Sequence, residues 1–331
     1  MIQHKFIKNT LAYKVFKSDL EKNVLSHCYI FYSQSFTISE DLQKHILCAM
    51  FCKAAEPCFS CPECKRVLQN IHPDIKVYPN NAAKINVEQT SEFLEEIYLK
   101  PLERDFKVFV LNKVDEMSAV VQNKLLKILE EPPKRTYILL FCQNKSGVLN
   151  TVISRAKFLE VPHLNKEEIL NILKQSECTE SEILRAADFS FGNIDRAKKI
   201  LEDKGFLEIF KLCFDFLLNI NQKNQIQYVS MLSKFSDNII DIFSILQLII
   251  MDAVYIHSNS KNLVNQKTQV AKTEQIAKLY SLKGLINLLD KINELNFNLK
   301  FNCNVGITFD ILGLEILKAK GHASSDSRYA Y

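Results

Sequence analysis

Along the first half of the chain, short runs of apolar and β-branched residues alternate with stretches whose apolar positions recur at helical spacing. Four runs carry the strand pattern: Cys28-Tyr29-Ile30-Phe31-Tyr32, Val108-Phe109-Val110-Leu111, Tyr137-Ile138-Leu139-Leu140-Phe141 and Ala156-Lys157-Phe158-Leu159-Glu160. Near-continuous apolar strands separated by amphipathic helices predict a mainly parallel sheet with helices on both faces, an α/β domain ending near Val161-Pro162. From Asn165 onward only the 3.6-residue period remains. Asn165-Lys166-Glu167-Glu168 and Thr179-Glu180-Ser181-Glu182 read as helix starts, Gly192-Asn193 as a turn, and Ile194 to Leu201 as a further short helix. Longer amphipathic segments follow over Phe206 to Leu218, Ile239 to Ile256, Thr273 to Leu295 and Gly306 to Leu317, the pattern of a helical bundle.

The predicted class is therefore α/β followed by all-α. Its expected parts are a core over residues 1–162, a small helical lid domain over 163–204, a bundle over 205–319 and a disordered polar tail over 320–331. At 331 residues and 47% hydrophobic composition the chain is long enough for two or three cores of its own. Charge adds little, since 42 Lys+Arg stand against 38 Asp+Glu and a net +4 carries no phosphate-binding argument alone. The first residues hold Lys5, Lys8 and Lys14 but no signal-peptide apolar core, so export is not expected. Ile239 to Met251 is interrupted by Asp241 and ends at Asp252, short of a membrane span, and reads as a buried helix.

Ten cysteines change the picture because four of them cluster. Cys52-x5-Cys58-x2-Cys61-x2-Cys64 lets four thiolates converge on one ion, the spacing of a structural zinc site in a module over residues 48–66. Four thiolates leave no open position for catalysis. Cys48, one helical turn before Cys52, is the rival fourth ligand. Cys28, Cys142, Cys178, Cys213 and Cys303 are expected to be small buried hydrophobes.

A first strand running into a helix is where a phosphate-binding loop would place G-x-x-x-x-G-K-[ST]. Here that stretch reads Tyr32-Ser33-Gln34-Ser35-Phe36-Thr37-Ile38-Ser39-Glu40, with no glycine and no lysine. Ser33, Phe36, Ile38 and Ser39 make a degenerate loop, and Glu40 would repel a polyphosphate. After Val108–Leu111, where acidic residues would hold magnesium, stand Asn112 and Lys113; Asp115 and Glu116 come later and suit the next helix start. The sequence thus predicts that this chain binds no ATP.

Another run is specific: Val121-Gln122-Asn123-Lys124-Leu125-Leu126-Lys127-Ile128-Leu129-Glu130-Glu131-Pro132-Pro133, then Thr136, then Asn150-Thr151-Val152-Ile153-Ser154-Arg155. It resembles the bacterial sliding-clamp loader family of DNA polymerase III, in which an N-x-L-L-K-x-L-E-E-P-P helix end precedes a T-I-x-S-R-C segment. His72-Pro73-Asp74 and Ile85-Asn86-Val87-Glu88-Gln89 extend the resemblance, which covers residue 26 to about 200; in the bundle only Asn302-Cys303-Asn304 is similar. Ala156 departs from the family cysteine.

The resemblance implies an AAA+ core with a zinc-loop insertion, a lid and a collar. It implies a non-hydrolysing subunit that keeps the zinc cysteines and the Ser-Arg pair, and a hetero-pentamer with the motor subunits gamma and tau and with delta, acting in the cytoplasm on the sliding clamp and primed DNA. Arg155 then corresponds to an arginine finger offered in trans to a neighbour's ATP, with Ser154 supporting its loop. Arg196 sits where the motors place a second nucleotide-sensing arginine, or else makes an interdomain ion pair. Two other functions remain open at this point, a motor ATPase of the same family and a zinc-containing nucleic-acid-binding module outside any ring.

Overall fold

The computed structural model describes residues 4–79, 85–174, 177–265, 269–299 and 304–326. The chain divides into two compact units, one of residues 1–172 with 192–195, the other of 173–191 with 196–331. The lid expected over 163–204 is therefore shared between the two.

In the first unit, α1 (His4–Asn9) and α2 (Leu11–Glu21) precede β1 (Cys28–Tyr32), which leads into α3 (Phe36–Phe51). The segment α4 (Pro62–Leu68), β2 (Ile75–Tyr78) and α5 (Val87–Glu96) follows, then β3 (Lys107–Leu111), α6 (Ala119–Glu130), β4 (Thr136–Cys142), α7 (Asn150–Ile153), β5 (Lys157–Glu160) and α8 (Lys166–Leu173). The four predicted strands are present within a residue or two. β2 escaped the sequence reading because Ile75-Lys76-Val77-Tyr78 is only four residues long and carries a lysine.

All five strands are parallel, in the order β2-β3-β4-β1-β5. Ile30 of β1 lies between Leu140 of β4 and Phe158 of β5, so the strand that feeds the N-terminus of α3 is held on both sides. Interior strands of such a sheet have no solvent face, which is why β3 can be Lys-Val-Phe-Val-Leu with every residue buried. α6 covers one face with Val121, Leu125, Ile128 and Leu129, a helical stripe packed with Phe109, Ile138 and Leu140. Ser118 caps its start, and Pro132-Pro133 prevents it from continuing past Glu130.

The second unit is helical: α9 (Glu180–Phe189), α10 (Ile194–Glu202, whose first two residues belong to the first unit), α11 (Lys204–Asn219), α12 (Gln225–Ser233), α13 (Ile239–His257), α14 (Val270–Leu279), α15 (Leu282–Asn298) and α16 (Val305–Asp326). Thr179 and Glu182 complete the predicted capping box. α13 packs against α11, α14 and α15, and α16 against α12 and α15. The 236–257 segment is long and apolar enough to cross a membrane by composition, but 61% of its most apolar window is buried within the protein, as for a core helix.

The segment predicted as one helix from Thr273 to Leu295 is two helices. Tyr280 turns extended because its buried hydroxyl donates to the Leu217 carbonyl at 2.6 Å, and Ser281 then caps α15. α16 continues to Asp326, past the boundary expected at 319; the remainder of the expected tail, and Asn302 and Cys303, lie outside the described residues. Of the cysteines expected as buried hydrophobes, Cys28, Cys142 and Cys213 are buried, whereas Cys178 is half-exposed.

Candidate functional site

A helix N-terminus presents backbone N–H groups with no partner inside the helix and a partial positive charge, which is why phosphates bind there. At the start of α3 those groups face a carboxylate of the chain itself. Asp195 Oδ2 accepts from the Phe36 N–H at 2.5 Å and from the Ser35 hydroxyl at 3.0 Å, and Oδ1 accepts from the Thr37 N–H at 3.2 Å and from the Thr37 hydroxyl. Asn193 braces the contact: its Nδ2 donates to the Gln34 carbonyl at 2.8 Å and its Oδ1 accepts from the Asp195 N–H at 2.9 Å. Ser33 and Ser39 are buried, Ile38 is part of the core, and Phe36 is exposed.

Beside this loop, at the strand ends, lies a cavity of about 180 Å³ lined by Phe36, Ser39, Glu40, Asn112, Lys113 and Cys142 among others. It is smaller than the roughly 300–1,000 Å³ of typical small-molecule pockets. Lys113 takes a left-handed backbone and lies 3.8 Å from Glu116. Asp115 accepts from the Asn144 N–H at 2.9 Å, which ties it to the turn after β4. A larger groove of about 700 Å³ runs along β2, lined by Lys76, Tyr78 and Glu96 among others, away from this loop.

Arg155 follows α7, with Ser154 at the helix's C-cap. Its Nε and Nη2 both donate to Glu130 Oε1, at 2.8 and 2.5 Å, and Nη1 donates to the Thr151 carbonyl at 2.9 Å. The Ser154 hydroxyl donates to the same carbonyl at 3.1 Å. Both partners of the ion pair lie at the surface, with Arg155 33% and Glu130 51% exposed.

The sulfurs of Cys52, Cys58, Cys61 and Cys64 all lie within 4.8 Å of one another. Cys52 to Cys58 is 3.6 Å and Cys58 to Cys64 is 3.9 Å. A tetrahedral zinc with Zn–S bonds near 2.3 Å sets sulfurs about 3.8 Å apart, so the four can hold a zinc ion. Cys48 lies outside this group, buried and with its thiol pushed up to about 11 by burial. N–H groups of Ser60 and Cys61 pull the Cys58 thiol down to about 5, which favours the thiolate a metal needs. Cys61 also caps α4, and Pro62 takes the first helical position, where its missing N–H costs nothing.

Around this cluster the charged groups interlock. Arg66 forks onto Glu103 at 2.7 and 2.8 Å, and the buried Asp74 accepts the N–H groups of Leu102, Glu103 and Arg104 at 2.6, 2.8 and 2.8 Å. In the second unit, Arg196 lies over the Phe191 ring and reaches Asp241 at 3.2 Å, and burial lowers its pKa below the usual arginine value. Its neighbour Asp195 is the residue that meets the loop. Glu130 belongs to the specific 121–133 run and Asp195 to the short helix expected over 194–201, but nothing in their spacing says which atom they reach.

A five-stranded parallel sheet with a strand-to-helix loop after β1, followed by a helical unit, is an AAA+-like arrangement. The sequence model of the family described as "DNA polymerase III, delta subunit" matches residues 8–165, and that described as "DNA polymerase III, delta subunit, C terminal" matches residues 208–309. The chain belongs to this family of DNA polymerase III clamp-loader subunits. It is 34% identical to the DNA polymerase III subunit delta' of Bacillus subtilis over 158 residues, 47% of this chain and 48% of that protein. It is 29% identical to the DNA polymerase III subunit gamma of Buchnera aphidicola over 154 residues, 45% of this chain and 42% of that one. The match thus spans about half the length of these relatives. A gamma subunit-related protein from Thermotoga maritima aligns over 93% of this chain and 99% of its own, at 13% identity and a TM-score of 0.39.

Proposed function

We propose that this chain is a delta-prime-like, non-hydrolysing stator of a DNA polymerase III clamp loader. It takes no ATP of its own and offers Arg155 to the ATP held by an adjacent motor subunit of the gamma or tau kind. The observation that carries the reading is the Asp195 carboxylate seated on the Ser35, Phe36 and Thr37 donors. A phosphate at that point would meet like charge and donors already engaged, with no lysine in the loop to offset either.

Cys52, Cys58, Cys61 and Cys64 would hold a structural zinc that ties residues 52–64 together. The partners are the motor subunits and delta in a cytoplasmic hetero-pentamer, through which the chain meets the sliding clamp and primed DNA. An arginine directed at a neighbour's γ-phosphate stabilises charge in the transition state, an effect worth roughly 10³ to 10⁵ in rate for well-characterised fingers. Ser154, bonded to the same carbonyl as Arg155, supports the loop.

Two measurements test this. Equilibrium titration of a fluorescent ATP analogue into the isolated chain should show no binding, and micromolar affinity would favour the motor reading that similarity to gamma subunits also allows. In the reconstituted complex, Arg155→Ala should leave assembly intact and lower DNA-stimulated ATP hydrolysis at least a hundredfold at the site it faces. An unchanged rate removes the finger. A monomer with no affinity for motor subunits would instead favour a free-standing zinc module.

A further inference from the structure

We infer that Glu130 is a positioning residue for Arg155: it fixes the plane of the guanidinium so that its outer edge faces an anion brought by a neighbour. The inference rests on the finger reading of Arg155 and deepens it. Three observations carry it.

Glu130 is poorly placed to help its own helix. It is the last residue of α6, at the end where the helix carries partial negative charge and where an acid is disfavoured. Its position is fixed, because Pro132-Pro133 stops the helix one residue later. Something other than helix stability accounts for an acid here.

The ion pair is also poorly placed to stabilise the fold. Both side chains are substantially exposed, and exposed pairs contribute little once solvent screening and side-chain ordering are counted. What the contact does supply is direction. A guanidinium has five N–H groups in one plane. Glu130 Oε1 takes Nε and Nη2 on one side, and the Thr151 carbonyl takes Nη1 on the other. Nη1 also donates to the Ser154 hydroxyl at 3.4 Å, so the N–H left for a ligand is the second one on Nη2. A ligand approaching end-on therefore meets a group whose plane is already set by α6 and by α7. Pre-set geometry matters for catalysis because misplacement by about 1 Å can cost on the order of a hundredfold.

The test is ATP hydrolysis by the reconstituted complex with primed DNA and clamp, comparing Glu130→Ala, Glu130→Gln, Arg155→Ala and the double variant Glu130→Ala/Arg155→Ala. Glu130→Ala should lower kcat about tenfold with the KM for ATP and the assembly state unchanged. Glu130→Gln, which keeps the Oε1 acceptor, should recover most of the rate. The double variant should be no slower than Arg155→Ala, since Glu130 acts only through the arginine. Wild-type kcat in Glu130→Ala beside a slow Arg155→Ala overturns the inference and leaves the finger standing. A Glu130→Gln as slow as Glu130→Ala, an additive double variant, or loss of assembly overturns it as well. A silent Arg155→Ala removes the finger itself, and the inference with it.

Discussion

Asp195 Oδ2 lies 2.5 Å from the backbone nitrogen of Phe36, 159 residues earlier in the chain, and so closes the N-terminus of α3 with a negative charge from the start of α10. Replacing it by alanine removes a helix-terminal acceptor of the N-cap kind together with two hydroxyl contacts. We expect Asp195→Ala to lower stability by about 1–2 kcal/mol, read as a drop in the urea midpoint at unchanged slope. The same variant should still bind no ATP analogue, because the loop would still lack a lysine and glycines. Micromolar binding by the variant would mean that the carboxylate alone keeps nucleotide out.

The metal prediction concerns Cys58. Cys58→Ser should lose a bound zinc on metal analysis and unfold at lower temperature, whereas Cys178→Ser, outside the cluster, should keep both properties. Treatment of the native protein with a chelator should reproduce the Cys58→Ser melting curve. Zinc retained in Cys58→Ser at wild-type stoichiometry would move the ligand set elsewhere.

Acid sensitivity should trace to Asp74. Burial alone would raise its pKa, but the N–H groups of Leu102, Glu103 and Arg104 overcome that and hold it below the usual 3.8. A depressed folded-state pKa means the stabilisation is complete above the unfolded value near 3.8 and is lost as pH falls through the lower folded value. Asp74→Ala should cost about 2 kcal/mol at pH 7, since three partly buried backbone donors lose a charged acceptor. Below pH 3.8 its stability should converge toward wild type. A difference that stays constant from pH 7 to pH 2 would show that the carboxylate's charge contributes nothing there.

Much of this arrangement was legible in advance. Interior parallel strands such as Val108–Leu111 announce themselves because burial on both faces demands unbroken apolar runs. The cysteine cluster and the degenerate loop are local in sequence, so their spacing carries them. What escaped depends on contacts distant along the chain. The helix break at Tyr280 is set by a hydrogen bond to Leu217, and the roles of Asp195 and Glu130 are set by partners 159 and 25 residues away. Arg196 drew attention because it sits where the related motors place a nucleotide-sensing arginine, yet it pairs with Asp241 and the carboxylate beside it is the one that reaches the loop. Neighbours on a helix point about 100° apart, so a shift of one residue exchanges one face for another.

The sulfur of Cys61 has two tasks, since the same atom belongs to the cysteine cluster and accepts the Cys64 N–H at the start of α4. A helix of seven residues is far too short to persist alone in water. α4 therefore rests on its packing against α3, through the buried Cys64 and Val67, and on the gathering of the thiolates. Releasing them would also free Glu63 and Arg66 on that helix, and with Arg66 the fork onto Glu103. The stretch from Cys52 to Leu68 then loosens as one segment, and a protease or hydrogen-exchange experiment on chelator-treated protein should find it opening before the sheet does.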